Sequence, residues 1–162
     1  MKNPHLVART SLIAVGEPAP VFTLLDQSRK EWKLTDHVKQ RDVVLCFFPF
    51  AFTSTCAAEM KCVTTEMERW KSSGMDVVGV SCDSFASLKA WAQQEGYTHT
   101  MLSDIRREVC RAYGLWWEDM FVSKRGTVVI GQNPTGAGLV KWVQARKPGN
   151  AMNFDEVLAS GV

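Results

Sequence analysis

The sequence predicts an α/β fold in which a mixed central sheet is flanked by helices on both faces. Two segments, 42–48 and 75–82, are mostly apolar, and each is followed by a segment with helical periodicity. Strands that are apolar on both faces are typical of a sheet covered by helices. Hairpin patterns before and after this unit add antiparallel strands, so the expected sheet is mixed.

Each element has a local signal. An N-terminal hairpin is predicted over 15–37 because two alternating stretches flank a polar turn. The first buried strand ends at Pro49, and apolar residues spaced three and four apart then predict a helix over 55–72. The later elements are a strand at 75–82, a helix at 84–96, a short strand at 100–104, a helix at 104–114, a hairpin at 125–143 and a helix at 154–161.

Length and composition exclude several classes of protein. The chain has 162 residues without a linker, repeat or low-complexity segment, so we predict one domain spanning residues 1–162. A net charge of +2, with the basic residues dispersed, predicts neither nucleic-acid nor membrane binding. The N-terminal apolar run "SLIAVG" is shorter than the ~7–15 residues of a signal-peptide core. We therefore expect a cytoplasmic protein.

The chain contains five cysteines, at positions 46, 56, 62, 82 and 110. An odd number in a chain of this length does not fit a secreted disulfide scaffold. The absence of a C-x-x-C motif argues against a zinc ribbon and against a standard thiol–disulfide oxidoreductase. We expect no metal and no cofactor, and the cysteines are then buried residues, reactive thiols or both.

Cys56 lies where a helix begins directly after a central strand. Ligands of open α/β sheets bind at the carboxyl ends of strands, and a helix N-terminus offers unpaired N–H groups and a positive dipole. Such a position favours the thiolate, which is the nucleophilic form of cysteine. Thr53 can donate a hydrogen bond there, while Pro49 and its aromatic neighbours make the site apolar. Alternatively, Cys56 is an ordinary buried residue.

The pattern Pro49-x-x-x-Thr53-x-x-Cys56 resembles the active-site motif of the peroxiredoxins. The resemblance extends through "VVLCFFPFAFTSTCAAEM", the upstream "VGEPAPVFTLLDQ" and the downstream "RGTVVI", in that order, and covers most of residues 16–145. The "FFPFAFT" form is most similar to the AhpE-like subfamily. This resemblance implies a thioredoxin-like fold and a thiol peroxidase that reduces hydrogen peroxide and organic hydroperoxides.

The resemblance also implies roles for individual residues. Cys56 would be the peroxidatic cysteine that becomes a sulfenic acid. Thr53, the Cys56 N–H and Arg125 would stabilise the negative charge that develops on the reacting atoms. Glu59 would orient an arginine. Without the resemblance, Arg125 is as easily a surface arginine and Glu59 a favourable acid in the first helical turn.

The sulfenic acid must then be reduced, and the sequence leaves the reductant open. Cys62, six residues after Cys56, is a possible resolving cysteine, but ~9 Å of helix rise separates the two, so the helix would have to unwind. Cys82 is a weaker resolving candidate, whereas Cys46 and Cys110 are expected in the core. Otherwise the reductant is a thioredoxin-like or glutaredoxin-like protein or a low-molecular-weight thiol.

Two further expectations concern partners and alternatives. Paired aromatic residues at 116–117, ahead of Arg125, predict a homodimer interface, since aromatics are enriched in interface cores. A non-enzymatic redox sensor or holdase on the same fold is the main alternative function. Retention of Pro49, Thr53 and Arg125 argues against it, because a sensor does not need groups that bind peroxide.

Overall fold

The computed structural model describes residues 2–161 and contains a seven-stranded mixed sheet and a two-stranded hairpin. The strands are β1 (Thr23–Asp26), β2 (Glu31–Lys33), β3 (Asp42–Phe47), β4 (Met75–Ser81), β5 (Thr100–Ser103), β6 (Trp116–Trp117), β7 (Val122–Ser123), β8 (Arg125–Ile130) and β9 (Val140–Arg146). The helices are α1 (Leu34–Val38), α2 (Ser54–Thr65), α3 (Met67–Ser72), α4 (Phe85–Glu95), α5 (Glu108–Ala112) and α6 (Phe154–Ala159).

The sheet has the strand order β2-β1-β5-β4-β3-β8-β9. Strands β3, β4 and β5 are parallel, because helices α2–α4 carry the chain back between them. Strand β8 pairs antiparallel with β3, and Gly126 lies opposite Phe47. This register places the start of β8 beside the carboxyl end of β3, where α2 also begins.

The core is divided between the two faces of the sheet. Alternate residues of β3 point to opposite faces, as the two-residue period of a strand requires: Val43, Leu45 and Phe47 belong to one cluster, and Val44, Cys46 and Phe48 to the other. The first cluster is covered by α1, α5 and the N-terminal segment. The second is covered by α2, α3, α4 and α6, so each face of the sheet has its own helical layer.

Some predicted elements have different limits in the structure. The helix predicted over 55–72 is interrupted at Glu66, whose ψ of 18° departs from α-helical geometry. The preceding threonines bond elsewhere: the Thr65 hydroxyl donates to Lys61 O, and Thr64 bonds to His99 in the next layer. The Thr65 bond is local and competes with a regular helix, whereas the Thr64 bond ties the end of α2 to a distant segment, and together they account for the break.

The helix predicted over 104–114 is also shorter, and three elements were missed. Arg107 has a left-handed φ of 61°, so α5 begins only after it. The short helix α1 lies within the segment assigned to the N-terminal hairpin, and β6 and β7, which pair with each other, lie in a segment with no predicted element. Elements this short have too few residues to show a period. None of the helices in residues 2–161 is both long and apolar enough to cross a bilayer.

Candidate active site

The loop between β3 and α2 turns sharply around Phe52. Phe52 has a φ of 63°, a conformation that is uncommon for a bulky residue and marks local backbone strain. Its half-exposed ring lies 6.1 Å from the ring of Trp91 on α4. Thr53 then adopts the extended conformation of an N-cap, and α2 starts at Ser54. Cys56 therefore falls in the first helical turn, as the sequence predicts.

Asp83 fixes this loop from the neighbouring strand. Its Oδ2 accepts hydrogen bonds from the Ala51 N–H at 2.9 Å and from the Ser81 hydroxyl at 2.7 Å. The Asp83 carbonyl in turn accepts from the Ser103 hydroxyl at 2.7 Å. The polar residues that follow β4 and end β5 thus hold the active-site loop against the sheet.

Replacement of Asp83 by alanine is expected to destabilise the protein by roughly 1–3 kcal/mol, because the buried Ala51 N–H and Ser81 hydroxyl lose their acceptor. The variant should also oxidise Cys56 more slowly, since the loop is no longer held. Asp83→Asn keeps an acceptor oxygen and serves as the matched control. Urea unfolding of both variants checks this expectation, and equal midpoints would contradict it.

Cys56 and Arg125 meet at the carboxyl end of β3. The Cys56 residue is only 1% exposed, and its Sγ accepts a hydrogen bond from Arg125 Nη2 at 2.9 Å. Arg125 is the first residue of β8, which the register places beside the end of β3. The pairing of strands thus brings together a sulfur and a guanidinium that are 69 residues apart in the chain.

The guanidinium of Arg125 is held on its other sides as well. Its Nε donates to the Pro148 carbonyl at 3.0 Å, and its Nη1 lies 3.5 Å from Glu59 Oε1. Glu59 projects from α2, one turn beyond Cys56, and is almost fully buried. The structure therefore brings Glu59 together with Arg125, the kind of residue it was predicted to orient.

Arg146 is a second arginine in this cluster, and it was not identified from the sequence. It lies opposite Arg125 in the β8–β9 ladder, and its Nη2 is 3.3 Å from Glu59 Oε2 and 2.8 Å from Thr127 Oγ1. Glu59 Oε2 also accepts from the Met152 N–H at 2.8 Å. Arg146 lies beyond the hairpin predicted over 125–143, and the register that places it opposite Arg125 could not be read from the sequence.

A cavity of about 180 Å³ lies beside Cys56. The lining residues are Pro49, Phe50, Thr53, Ser54, Thr55, Cys56, Trp117, Arg125 and Pro148. A water molecule occupies about 30 Å³ of liquid, so the space suits a small hydroperoxide. The Thr53 hydroxyl donates to the Phe50 carbonyl at 2.8 Å, whereas the sequence predicts a hydrogen bond donated at the Cys56 site. The four residues of the sequence motif, Pro49, Thr53, Cys56 and Arg125, thus share one cavity.

Residues 15–135 match the model of the AhpC/TSA family. The chain belongs to this family. It is 30% identical over 140 residues to alkyl hydroperoxide reductase E of Mycobacterium tuberculosis, covering 85% of this chain and 89% of that protein. It is 36% identical over 112 residues to peroxiredoxin Bcp of Escherichia coli K12, covering 69% of this chain and 71% of that protein.

Solved structures of peroxiredoxins have the same fold. The reduced 2-Cys peroxiredoxin of Plasmodium vivax superposes with a TM-score of 0.80 at 27% identity, covering 89% of this chain and 78% of that chain. AhpC of Mycobacterium tuberculosis gives 0.79 at 24% identity, covering 93% and 97%. The predicted thioredoxin-like fold is confirmed, and this AhpC/TSA member is a thiol-dependent peroxidase.

The other cysteines of this peroxiredoxin lie away from the Cys56 cavity. Cys62 is half-buried on α2, and burial, followed by the nearby Glu66 carboxylate, raises the pKa of its thiol. Cys46 is buried in β3, and burial raises its pKa as well. Cys82 and Cys110 pack against each other on the face of the sheet opposite to Cys56. This placement does not bring Cys82 into contact with Cys56.

Within residues 2–161, one group of side chains has the spacing of a metal site. It consists of Cys82, Asp104 and Cys110, all buried, with ligand atoms within 4.8 Å of one another. The group lies in the core cluster on the face away from Cys56. It is therefore separate from the site that the family motif identifies.

Proposed function

We propose that Cys56 is the peroxidatic residue of this thiol-dependent peroxidase and that it reacts as a thiolate. The observation that carries the proposal is the 2.9 Å contact between Arg125 Nη2 and the Cys56 sulfur inside a small cavity. An arginine donates charge-assisted hydrogen bonds and remains charged at all relevant pH values. A sulfur so placed is stabilised when it is negative.

The balance of charges in the buried cluster also supports the thiolate form of Cys56. Two guanidinium groups, Arg125 and Arg146, are almost fully buried and share the single carboxylate of Glu59. An uncompensated buried charge is costly, so a second anion is favoured beside them. The Cys56 thiolate supplies that anion and leaves the cluster neutral.

The chain's own groups account for attack and for charge stabilisation. The Cys56 thiolate attacks one hydroperoxide oxygen; the S–O bond forms, the O–O bond breaks, and the departing hydroxide or alkoxide takes a proton from solvent to become water or an alcohol. Arg125 and the N–H groups of the first turn of α2 lie where the negative charge develops. The Thr53 hydroxyl gives its own proton to Phe50, so its lone pairs are free to accept the hydroperoxide O–H.

Reduction of the sulfenic acid is assigned to an external thiol. Cys56 and Cys62 lie on the same continuous helix, separated by ~9 Å of rise, whereas a disulfide requires Cα atoms within ~7 Å. A Cys56–Cys62 bond therefore requires that α2 unwind. A thioredoxin-like or glutaredoxin-like protein, or a small thiol, reaches Cys56 through the cavity without this cost.

Replacement of Cys62 by alanine is expected to leave peroxide turnover with an external thiol nearly unchanged, because Cys62 does not approach Cys56 in the folded helix. Turnover of the variant and of the unmodified chain is compared with thioredoxin, glutaredoxin and dithiothreitol as alternative reductants. Loss of turnover with every reductant, together with a Cys56–Cys62 peptide in the unmodified chain, would assign Cys62 as the resolving cysteine.

The assembly that we propose is a homodimer formed next to the cavity. Trp117 lines the cavity, Trp116 packs edge-to-face on Phe121 at 4.9 Å, and Phe121 is 56% exposed. A cluster of partly exposed aromatic residues is typical of the core of an interface. If the Phe121→Ser variant sediments as a monomer and the unmodified chain as a dimer, the aromatic cluster is supported as the dimer interface. A variant that remains a dimer contradicts this assignment. A cytoplasmic location remains part of the proposal.

The direct test of the function is a single oxidation of the reduced protein. Hydrogen peroxide is mixed with the reduced chain in a stopped-flow instrument, tryptophan fluorescence is followed, and oxidised cysteines are mapped by mass spectrometry. Rapid oxidation confined to Cys56 is expected. Slow oxidation spread over several cysteines would reject the assignment and favour the alternative of a non-enzymatic redox sensor.

A further inference from the structure

A pair of buried thiols on the far side of the sheet has no role in the mechanism above. Cys82 directly follows β4, and Cys110 lies in α5; their sulfur atoms are 3.9 Å apart. The two residues are 4% and 0% exposed. The buried carboxylate of Asp104 completes the group, within 4.8 Å of both sulfurs.

We propose that Cys82 and Cys110 form a second redox site, at which excess hydroperoxide produces an internal disulfide independently of Cys56. A disulfide bond is about 2.05 Å long, so the two sulfurs must approach each other by about 1.9 Å. Side-chain rotation and small shifts of the flanking segments supply such a movement. The pair is therefore arranged for bonding to each other rather than to Cys56.

The backbone around the pair can accommodate this approach. The β4–β5 ladder ends with the pairing of Ser81 and Ser103, so Cys82 lies just outside it. Cys110 lies in a five-residue helix that begins after the left-handed Arg107. Short elements and strand ends adjust more readily than the interior of a sheet. The disulfide can therefore form without breaking any residue pair in the β4–β5 ladder.

The chemistry balances with hydroperoxide as the only oxidant. The less buried Cys82 sulfur attacks the peroxide, forming an S–O bond and breaking the O–O bond, and an alcohol or water leaves. The Cys110 sulfur then displaces hydroxide from the sulfenic acid, which departs as water. The two thiols lose two hydrogens in total, and the hydroperoxide becomes an alcohol and water.

Asp104 is positioned to accept a thiol proton during these steps. Its carboxylate oxygens accept the backbone N–H groups of Val109 at 3.1 Å and Cys110 at 2.8 Å, which fixes it beside the pair. Burial raises the pKa of Asp104 to about 6, so it is mainly ionised at neutral pH. The hydrogen bond with Cys82, followed by burial, raises the pKa of Cys110. Oxidation of the pair is therefore slow, which is why the proposal requires excess hydroperoxide.

The test uses the Cys56→Ser variant, so that the result does not depend on the proposed role of Cys56. The reduced protein is freed of metal with a chelator, exposed to excess hydrogen peroxide, quenched with an alkylating agent under denaturing conditions and digested with trypsin. Cleavage at lysine and arginine places Cys82 in fragment 72–89 and Cys110 in fragment 108–111. A linked pair of these fragments, two hydrogens lighter than their sum and separated by a reductant, is expected.

Two variants give the controls. Cys110→Ala removes one partner, and the linked fragments should disappear. Cys46→Ala removes a different buried thiol and should leave them in place. Recovery of both fragments fully alkylated after peroxide exposure overturns the proposal. A disulfide from Cys82 or Cys110 to another cysteine also overturns the proposal. The same holds if the linked fragments form only in a sample to which zinc is added and the chelator is omitted.

Discussion

Replacement of Cys56 by serine is expected to abolish hydroperoxide reduction and to leave the fold intact. The serine hydroxyl fits the same space and still accepts a hydrogen bond from Arg125, but it is neither ionised at neutral pH nor able to form a sulfenic acid. Removal of the nucleophile lowers the rate of an enzyme far more than removal of a supporting group. Turnover should therefore fall by at least about a thousandfold. Peroxide consumption with dithiothreitol measures this loss.

The matched control for this experiment is Cys46→Ala, in which a thiol buried in β3 is removed on the same side of the sheet. Its circular dichroism and peroxide turnover should resemble those of the unmodified chain. Turnover of Cys56→Ser that remains within a few-fold of the unmodified chain would show that another thiol carries the reaction.

Arg125→Ala is expected to slow oxidation of Cys56 by about a hundredfold to a thousandfold, the usual effect of removing one donor to a developing anion. The same change removes the positive charge 2.9 Å from the sulfur. Alkylation of Cys56 by iodoacetamide at neutral pH should therefore be slower in the variant, and an unchanged alkylation rate would remove the charge role given to Arg125.

Two further variants separate the charge of Arg125 from its shape. Arg125→Lys keeps one positive charge but cannot contact Cys56, Glu59 and Pro148 together, as the guanidinium does. The Arg125→Lys variant should preserve most of the alkylation rate of Cys56 and lose most of the peroxidase rate. Arg106→Ala, an exposed arginine paired with Glu108 at 3.1 Å, is the control for a general change in net charge and should alter neither.

The stability of Arg125→Ala has to be measured beside its activity. Removing one partner of a buried ion pair typically costs about 3–5 kcal/mol, and Glu59 retains only Arg146 among its arginines. Circular dichroism at the assay temperature identifies the fraction that is folded. Rates are then expressed per folded molecule, so that unfolding is not mistaken for loss of catalysis.

The central part of the fold and site could be predicted because its signals are local. The apolar run of β3, the proline after it and the spacing of Thr53 and Cys56 all lie within a short stretch of chain. Their periodicity and the helix-start position of Cys56 predict the strand, the turn and the exposed N–H groups directly. Arg125 was found through resemblance, and the strand register explains its proximity to the sulfur.

The residues that were missed act through contacts between distant segments. Arg146 reaches Glu59 across 87 positions, and Asp83 reaches Ala51 across 32. Such contacts depend on strand register and on the position of each helix along its axis relative to the sheet. No local sequence pattern determines either of these. The break at Glu66 has the same origin, because Thr64 bonds to His99 from a different layer of the fold.

The division of the core by the sheet has a consequence for how electrons move within this protein. Cys56 and Cys46 face one helical layer, whereas Cys82 and Cys110 face the other. Because the two clusters are separate, Cys56 does not pack against Cys82 or Cys110 in the folded protein. We therefore expect the disulfide proposed for the second pair to need its own encounter with a reductant, and it can persist after a brief oxidant pulse when Cys56 has already been reduced.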